Sequence, residues 1–245
     1  MKVSERASFP RFLPSCAAWL LCLAVAVLSP AAVSAADPAL TQSLMLGERP
    51  SVNGEATVVQ VGLYVMDVDE IDDVNQRFSV DLFIAARWQD PRLALPEAER
   101  KGLRRLLSLE EAWTPRVLFL NDRGLTPMLR EVLEVDDRGN VHFRNRLTGE
   151  LAANLEFQEF PFDVQRLPID IVSYAYATDE LRFSVDSSLV SEAKEFSIEG
   201  WDLRQLEPEI GVFVTPTDGT ELPRLTFAIE AERDSNYYVL TMLVP

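Results

Sequence analysis

Residues 77–88 alternate without a break. Phe78, Val80, Leu82, Ile84, Ala86 and Trp88 share one side, and Arg77, Ser79, Asp81, Phe83, Ala85 and Arg87 share the other. A period of two sustained over this length predicts a strand with one buried and one wet face. Phe83 is a ring on the wet face, which makes it a candidate contact for a ligand or a neighbouring subunit, although single exposed rings are common. Residues 166–176 alternate in the same way, with Leu167, Ile169, Ile171, Ser173 and Ala175 facing Asp170, Val172, Tyr174 and Tyr176 across the strand. Shorter runs predict further strands at 56–66, 116–120, 128–135, 141–147, 151–157, 181–185, 195–206, 210–215 and 224–232.

Turn-forming clusters separate these runs: Asn121-Asp122-Arg123-Gly124, Asp136-Asp137-Arg138-Gly139, and a hairpin tip at 216–220 that is placed to move over a site. The five acids of 67–73 read as a solvated loop. Helix is predicted over 37–46, where Asp37 caps and Pro38 opens the first turn, and over the charged stretch 96–107. Ser108 and Glu111 then have the spacing of a capping box. The whole reads as an all-β chain, an antiparallel β-sandwich of about ten strands with a short N-terminal helix.

Residues 1–35 change the picture at one end. Lys2, Arg6 and Arg11 precede an apolar run over 17–28, and Val33-Ser34-Ala35 supplies small residues for cleavage, so the segment reads as an export signal, with an uncleaved anchor as the alternative. The expected division is a signal over 1–35, a β-sandwich over 36–236, and over 237–245 the apolar start of a truncated membrane helix. Both cysteines, Cys16 and Cys22, belong to the signal, so neither disulfide nor thiolate metal chemistry is expected beyond it. The net charge is −16 and becomes −18 once Lys2, Glu5, Arg6 and Arg11 leave with the signal. A domain that acidic repels nucleic acid and attracts cations.

Two features carry candidate chemistry. Phe160-Pro161-Phe162-Asp163 places a φ-locked proline between two rings and follows it with a carboxylate, a stiff apolar knuckle bearing one charge. The wet face of 141–147 carries His142, Arg144 and Arg146; the arginines are able to receive a carboxylate, or else they balance nearby acids. His142 is the one histidine. No histidine pair exists to hold a metal, no cofactor motif is present, and catalysis is not expected.

Taken in order, MDVDE at 66–70, WQDPRL at 88–93, WTP at 113–115 followed by Asn121, FPFDVQ at 160–165 and YY at 237–238 followed by Pro245 resemble the extracellular ligand-binding domain of pentameric ligand-gated ion channels, the Cys-loop receptor family, in its bacterial form. The two cysteines that name the family would fall at Ala153 and Leu167, and their absence is usual in bacterial members. The resemblance implies a homopentamer of sandwiches on the periplasmic face of the bacterial inner membrane. Each sandwich would precede membrane helices missing from this sequence, and a small agonist would bind between neighbours. It puts Phe83 and Tyr174 in an aromatic box with Phe213 on the nearby hairpin, and Arg144 and Arg146 on the complementary wall. The box lacks a ring at Leu120. The agonist is therefore open among an amine, an amino acid, a small acid and protons. For gating, the resemblance places Asp163 beside Arg233 and an acid of the 67–73 run, for which Glu70 stands, with Pro161 and Phe162 at the membrane-facing knuckle. A soluble periplasmic pentamer of the same fold, binding a ligand without a pore, is the alternative.

Overall fold

The computed structural model describes residues 46–50, 54–188, 190–192, 196–236 and 239. Its strands are β1 (Thr57–Asp72), β2 (Arg77–Gln89), β3 (Arg105–Ser108), β4 (Val117–Phe119), β5 (Thr126–Pro127), β6 (Val132–Val135), β7 (Asn140–Ala152), β8 (Val164–Ser173), β9 (Leu181–Val185), β10 (Ser191–Glu192), β11 (Trp201–Gln205), β12 (Glu209–Val214) and β13 (Glu221–Arg233). One sheet runs β10-β1-β2-β7-β6-β3, with β9 also on β1 and β5 also on β7. The other runs β11-β13-β8-β4, with β12 also on β13. β9 and β10 meet β1 in parallel, and every other pairing is antiparallel.

The core forms where the two alternating strands predict it. Phe78, Val80, Leu82, Ile84, Ala86 and Trp88 of β2 are buried together with Leu167, Ile169 and Ile171 of β8, and Phe83 stays half-buried on the opposite face of β2. Ala153 and Leu167 are both buried in this core.

Three expectations are corrected. The acidic run is not a loop, because β1 continues through it to Asp72 with bulges between Val65 and Asp67 and between Val68 and Glu70. Each bulge inserts one residue, so the core-facing positions step from the buried Val65 and Val68 to the partly buried Ile71, and the core face continues although the period of two is lost. The stretch 96–107 is not a helix either: a single 3-10 turn, Glu97–Glu99, gives way to β3, which pairs with β6. Gly102 between them has φ +70°, a value that ends helical geometry. The capping-box spacing is half realised, since Glu111 accepts from the Ser108 N–H at 2.6 Å, but no helix follows. Finally, 141–147 and 151–157 are not separate strands. β7 runs unbroken to Ala152, and at Gly149 (φ +146°) a Cβ would lie 2.3 Å from the Gly124 carbonyl oxygen, a contact only glycine permits. The helix expected over 37–46 lies outside the described residues apart from Leu46, which is helical. The segment 237–245 lies outside them apart from Val239.

Two side chains tie the sheets together. Asn121 donates to the carbonyls of Ala152 and Pro168 at 2.8 and 2.7 Å and accepts from the Asp170 N–H, so it links the end of β7 to β8. Trp113 stacks edge-on against Trp88 with centroids 5.8 Å apart, and its indole N–H donates to the Tyr176 hydroxyl at 2.7 Å. Tyr176 thus turns toward the core and Ala175 is exposed, the reverse of the extrapolated alternation, because β8 ends at Ser173.

Candidate functional site

The knuckle is built from its ends inward. Gln165, buried at the start of β8, accepts from the Glu156 N–H at 2.9 Å and donates to the Glu156 carbonyl at 2.6 Å, which closes the loop that holds 157–162. Inside that loop the Phe160–Pro161 peptide is cis and Pro161 is buried, whereas the Phe162 side of the turn is 64% exposed. An apolar ring held outward on a pinned turn is a contact surface.

Asp163 follows with 2% of its surface exposed, and Arg233, the last residue of β13, has 7%. Arg233 donates to Asp163 through Nε at 2.8 Å and Nη2 at 3.1 Å, a two-pronged pair, and its backbone N–H reaches the Asp163 carbonyl at 3.2 Å. Nη2 also meets Asp73 at 3.2 Å. The guanidinium lies over the rings of Trp201, 4.1 Å from the centroid, and Phe160, 5.2 Å away. Trp201 is placed there by register, being the cross-strand partner of Arg233. Burial alone would raise the Asp163 carboxyl, but hydrogen bonds from Arg233 and Gln165 outweigh it and hold the group below the usual carboxylate range.

Asp73 reaches this node because of the hairpin that carries it. The Asp72 carboxylate accepts from Asn75, Val74 and Arg77, and the bonds from Asn75 and Arg77 hold its pKa down at about 2. The Gln76 amide oxygen then accepts from the Leu155 N–H at 2.6 Å, which docks the turn against the segment leading to the knuckle. The acid of 67–73 that bonds Arg233 is therefore Asp73; Glu70 is exposed on β1, opposite Ser79. Sequence reasoning passed over Asp73 and Trp201, whose meeting depends on a turn and a cross-strand register.

The residues singled out for ligand contact fall into two sets. Phe83, Arg144 and Arg146 lie on the wet face of the first sheet, where Phe83 is the cross-strand partner of Arg146 on one side and of Tyr64 on the other. Both arginines are engaged within the chain: Arg146 forms a two-pronged pair with Asp81, and Arg144 bonds Glu134, which also holds Arg104 at 3.0 Å. Close by, the Asp69 carboxyl is pushed up, first by burial and then by the charges of Asp67 and Asp81. His142 is half-buried on the same face and is pushed down, by burial first and then by Arg87 and Arg104, so it favours the neutral form.

The second set belongs to the other sheet. Tyr174 sits just beyond β8, 53% exposed, with its N–H on the Arg116 carbonyl at 3.1 Å; Phe213 is half-buried on β12, across from Leu222 at the start of β13. The ring pairs among the described residues are Trp88–Trp113 and Trp113–Tyr176, and neither includes Phe83, Tyr174 or Phe213. The hairpin tip at 216–220 is an ordered turn: Gly219 N–H bonds the Thr215 carbonyl at 3.1 Å, and Asp218, hydrogen-bonded by Thr215 and Thr220, has its pKa lowered to about 2.

The described residues thus form a two-sheet sandwich that gathers a buried arginine and two carboxylates at the end of its last strand, beside an outward ring. A family model for the neurotransmitter-gated ion-channel ligand binding domain matches residues 38–233, and the chain belongs to that family. It is a family of receptors rather than enzymes. The chain is 24% identical over its full length to a proton-gated ion channel of Gloeobacter violaceus, of which it spans 66%. It is 26% identical over 209 residues to the gamma-aminobutyric acid receptor subunit beta-4 of Gallus gallus, matching 80% of this chain and 41% of that one. With the rho-2 subunit of Bos taurus the identity is 31% over 156 residues, 60% of this chain and 33% of the other.

Proposed function

We propose that this chain is the agonist-binding part of a bacterial homopentameric channel, facing the periplasm at the inner membrane. The observation that carries this reading is the division of the candidate site. Phe83, Arg144 and Arg146 lie on one sheet and Tyr174 and Phe213 on the other, without a ring contact between the sets, so each chain offers two half-sites. A second copy would supply the half that the first lacks. Ring faces attract ammonium groups by roughly 0.5–2 kcal/mol each, which favours a cationic end on the agonist. Arg144 and Arg146 receive a carboxylate only by exchanging their present partners, Glu134 and Asp81. The agonist is open among small amines, amino acids, small acids and protons; for protons the raised Asp69 is the candidate group.

In this reading the node of Asp163, Arg233 and Asp73 relays the motion of the sandwich to membrane helices that follow β13, with Pro161, Phe162 and Glu70 at the same end. A two-pronged buried pair has few arrangements and so switches between them instead of yielding gradually. The relatives extend well beyond the stretch they share with this chain, which supports a continuation into the membrane.

The test uses the intact receptor under voltage clamp, challenged with a pH step and with three probes: γ-aminobutyric acid, butylamine and butyrate, which carry both charges, the ammonium alone and the carboxylate alone. Phe83→Ala and Tyr174→Ala are each expected to raise the half-effective concentration of the opening probe at least tenfold with surface expression unchanged. Unaltered responses in both variants would sink the interfacial site. A purified pentamer that binds a probe and conducts nothing would instead identify a soluble periplasmic binding module.

A further inference from the structure

Strand β12, EIGVFV, is an open edge of the second sheet. Among the described residues it pairs with β13 alone, and none of its six residues is buried. The Thr215 N–H bonds the Thr220 carbonyl at 2.9 Å. An antiparallel ladder alternates, so Glu209, Gly211 and Phe213 direct their backbone groups to β13, and Ile210, Val212 and Val214 turn theirs outward. The side chains of these same three residues form an apolar row. Ile210 and Val212 stand across from Leu225 and Pro223, which are buried, so the row lies on the core-facing side of the sheet. Yet Ile210 is 60% exposed, Val212 46% and Val214 56%, and the packed core stops short of them.

Folded proteins block such edges with short strands, proline or charge. The other edges of this molecule follow that rule: β4 and β10 have three and two residues, β5 contains Pro127, and β3, β9 and β11 carry Arg105, Arg182 and Arg204. β12 has no proline, and its one charge is at its first residue, Glu209. An apolar row beside an unblocked edge is the surface to which an extended segment adds as a further strand, held by main-chain bonds and selected by its alternate side chains.

Charge decides which segment. Glu207 and Glu209 stand at one end of the edge, and Asp218 and Glu221 at the other. Two copies of β12 laid antiparallel would set acid against acid at both ends, which disfavours a second copy as the occupant. The bases nearby are engaged: Arg224 holds Asp170, and Arg166 holds Glu209 in an exposed pair that exchanges readily. Over Gly211 the opposite face opens a groove of ≈ 300 Å³ with Glu209 and Asp170 in its wall, room for a long basic side chain.

We infer that β12 binds an extended basic segment of another protein as an antiparallel strand, with apolar side chains on the row of Ile210, Val212 and Val214 and arginine or lysine on the face of Glu209. This docking edge does not depend on a ligand site between subunits.

The probe is a fluorescein-labelled peptide that alternates arginine and valine over about six residues, the length of the edge, and fluorescence anisotropy with the purified intact protein measures its binding. In the inferred pairing the valine N–H groups bond β12 and the arginine N–H groups point away. N-methylation of the valines should therefore weaken binding by about tenfold or more, and N-methylation of the arginines should leave it within about twofold. A peptide with glutamate in place of arginine should bind about tenfold more weakly or worse. Val212→Pro removes an outward N–H and no bond to β13, so the variant should fold and lose the arginine peptide by a similar factor. If it does not fold, Val212→Lys, which sets a like charge on the exposed row, should have the same effect. Equal effects of the two methylations, equal binding of the glutamate peptide, no binding of the unmodified peptide, or binding retained in the folded variant would each overturn the proposal. So would a fall in oligomer mass on Val212→Pro in analytical ultracentrifugation, which would assign the edge to a second copy.

Discussion

Asp163→Ala is expected to destabilise the protein by about 3–5 kcal/mol, the cost of stranding a buried charge whose partner has been removed. Asp163 is the two-pronged partner of Arg233, whose guanidinium lies over Trp201 and Phe160, whereas Asp73 offers it one bond. Urea unfolding of the purified intact protein measures the loss, and a change below about 1 kcal/mol, the range of an exposed ion pair, would show that the node is not a buried pair in solution. The pH dependence has a definite sign. The folded Asp163 carboxyl is held below its unfolded value of about 3.9, so its contribution is present above that pH and fades as pH falls through the folded value. The stability gap between the wild type and Asp163→Asn should therefore be constant from pH 7 to about 5 and narrow below about 4.

Trp113→Ala is expected to cost a comparable amount, about 3–5 kcal/mol. The ring is 2% exposed and stands between Trp88 and Tyr176, so truncation opens a cavity, breaks two ring contacts and strands the Tyr176 hydroxyl. The two substitutions differ in what they report. Trp113→Ala should reduce the yield of folded receptor with little change in the half-effective agonist concentration of what survives. Asp163→Asn should change gating in receptor that still assembles. Thermal unfolding beside surface expression separates these outcomes, and normal stability in Trp113→Ala would contradict its role as a core residue.

The sequence announces its structure wherever side chains alternate undisturbed. β2 was legible from end to end because one face is wholly apolar, and Phe83 stood out against the other face for the same reason. The second half of β1 was illegible because two bulges convert a period of two into steps of three, and a run of acids at such spacing looks like solvent-facing loop. Around 96–107, charged residues of good helical propensity concealed a turn and a short edge strand whose form is decided by pairing with β6. The knuckle was legible because proline and aromatic residues act locally. Asp73 and Trp201 were not, since one depends on how the β1–β2 hairpin docks and the other on the register of β11 against β13. The rings of the candidate site could be picked out along the chain. Their division between two sheets could not, because a strand pattern carries no information about which sheet a strand will join.

That division gives the most direct test. The sequence holds two cysteines, Cys16 and Cys22, both near the N-terminus. With these replaced by serine, Phe83→Cys and Tyr174→Cys can be introduced together into the intact protein and treated with a short bismaleimide. If the two half-sites of neighbouring copies face each other, the double variant yields a ladder of covalent species ending at five chains, and either single variant yields none. A product confined to the mass of one chain, or a ladder of equal strength from a single variant, would contradict a ligand site shared between subunits.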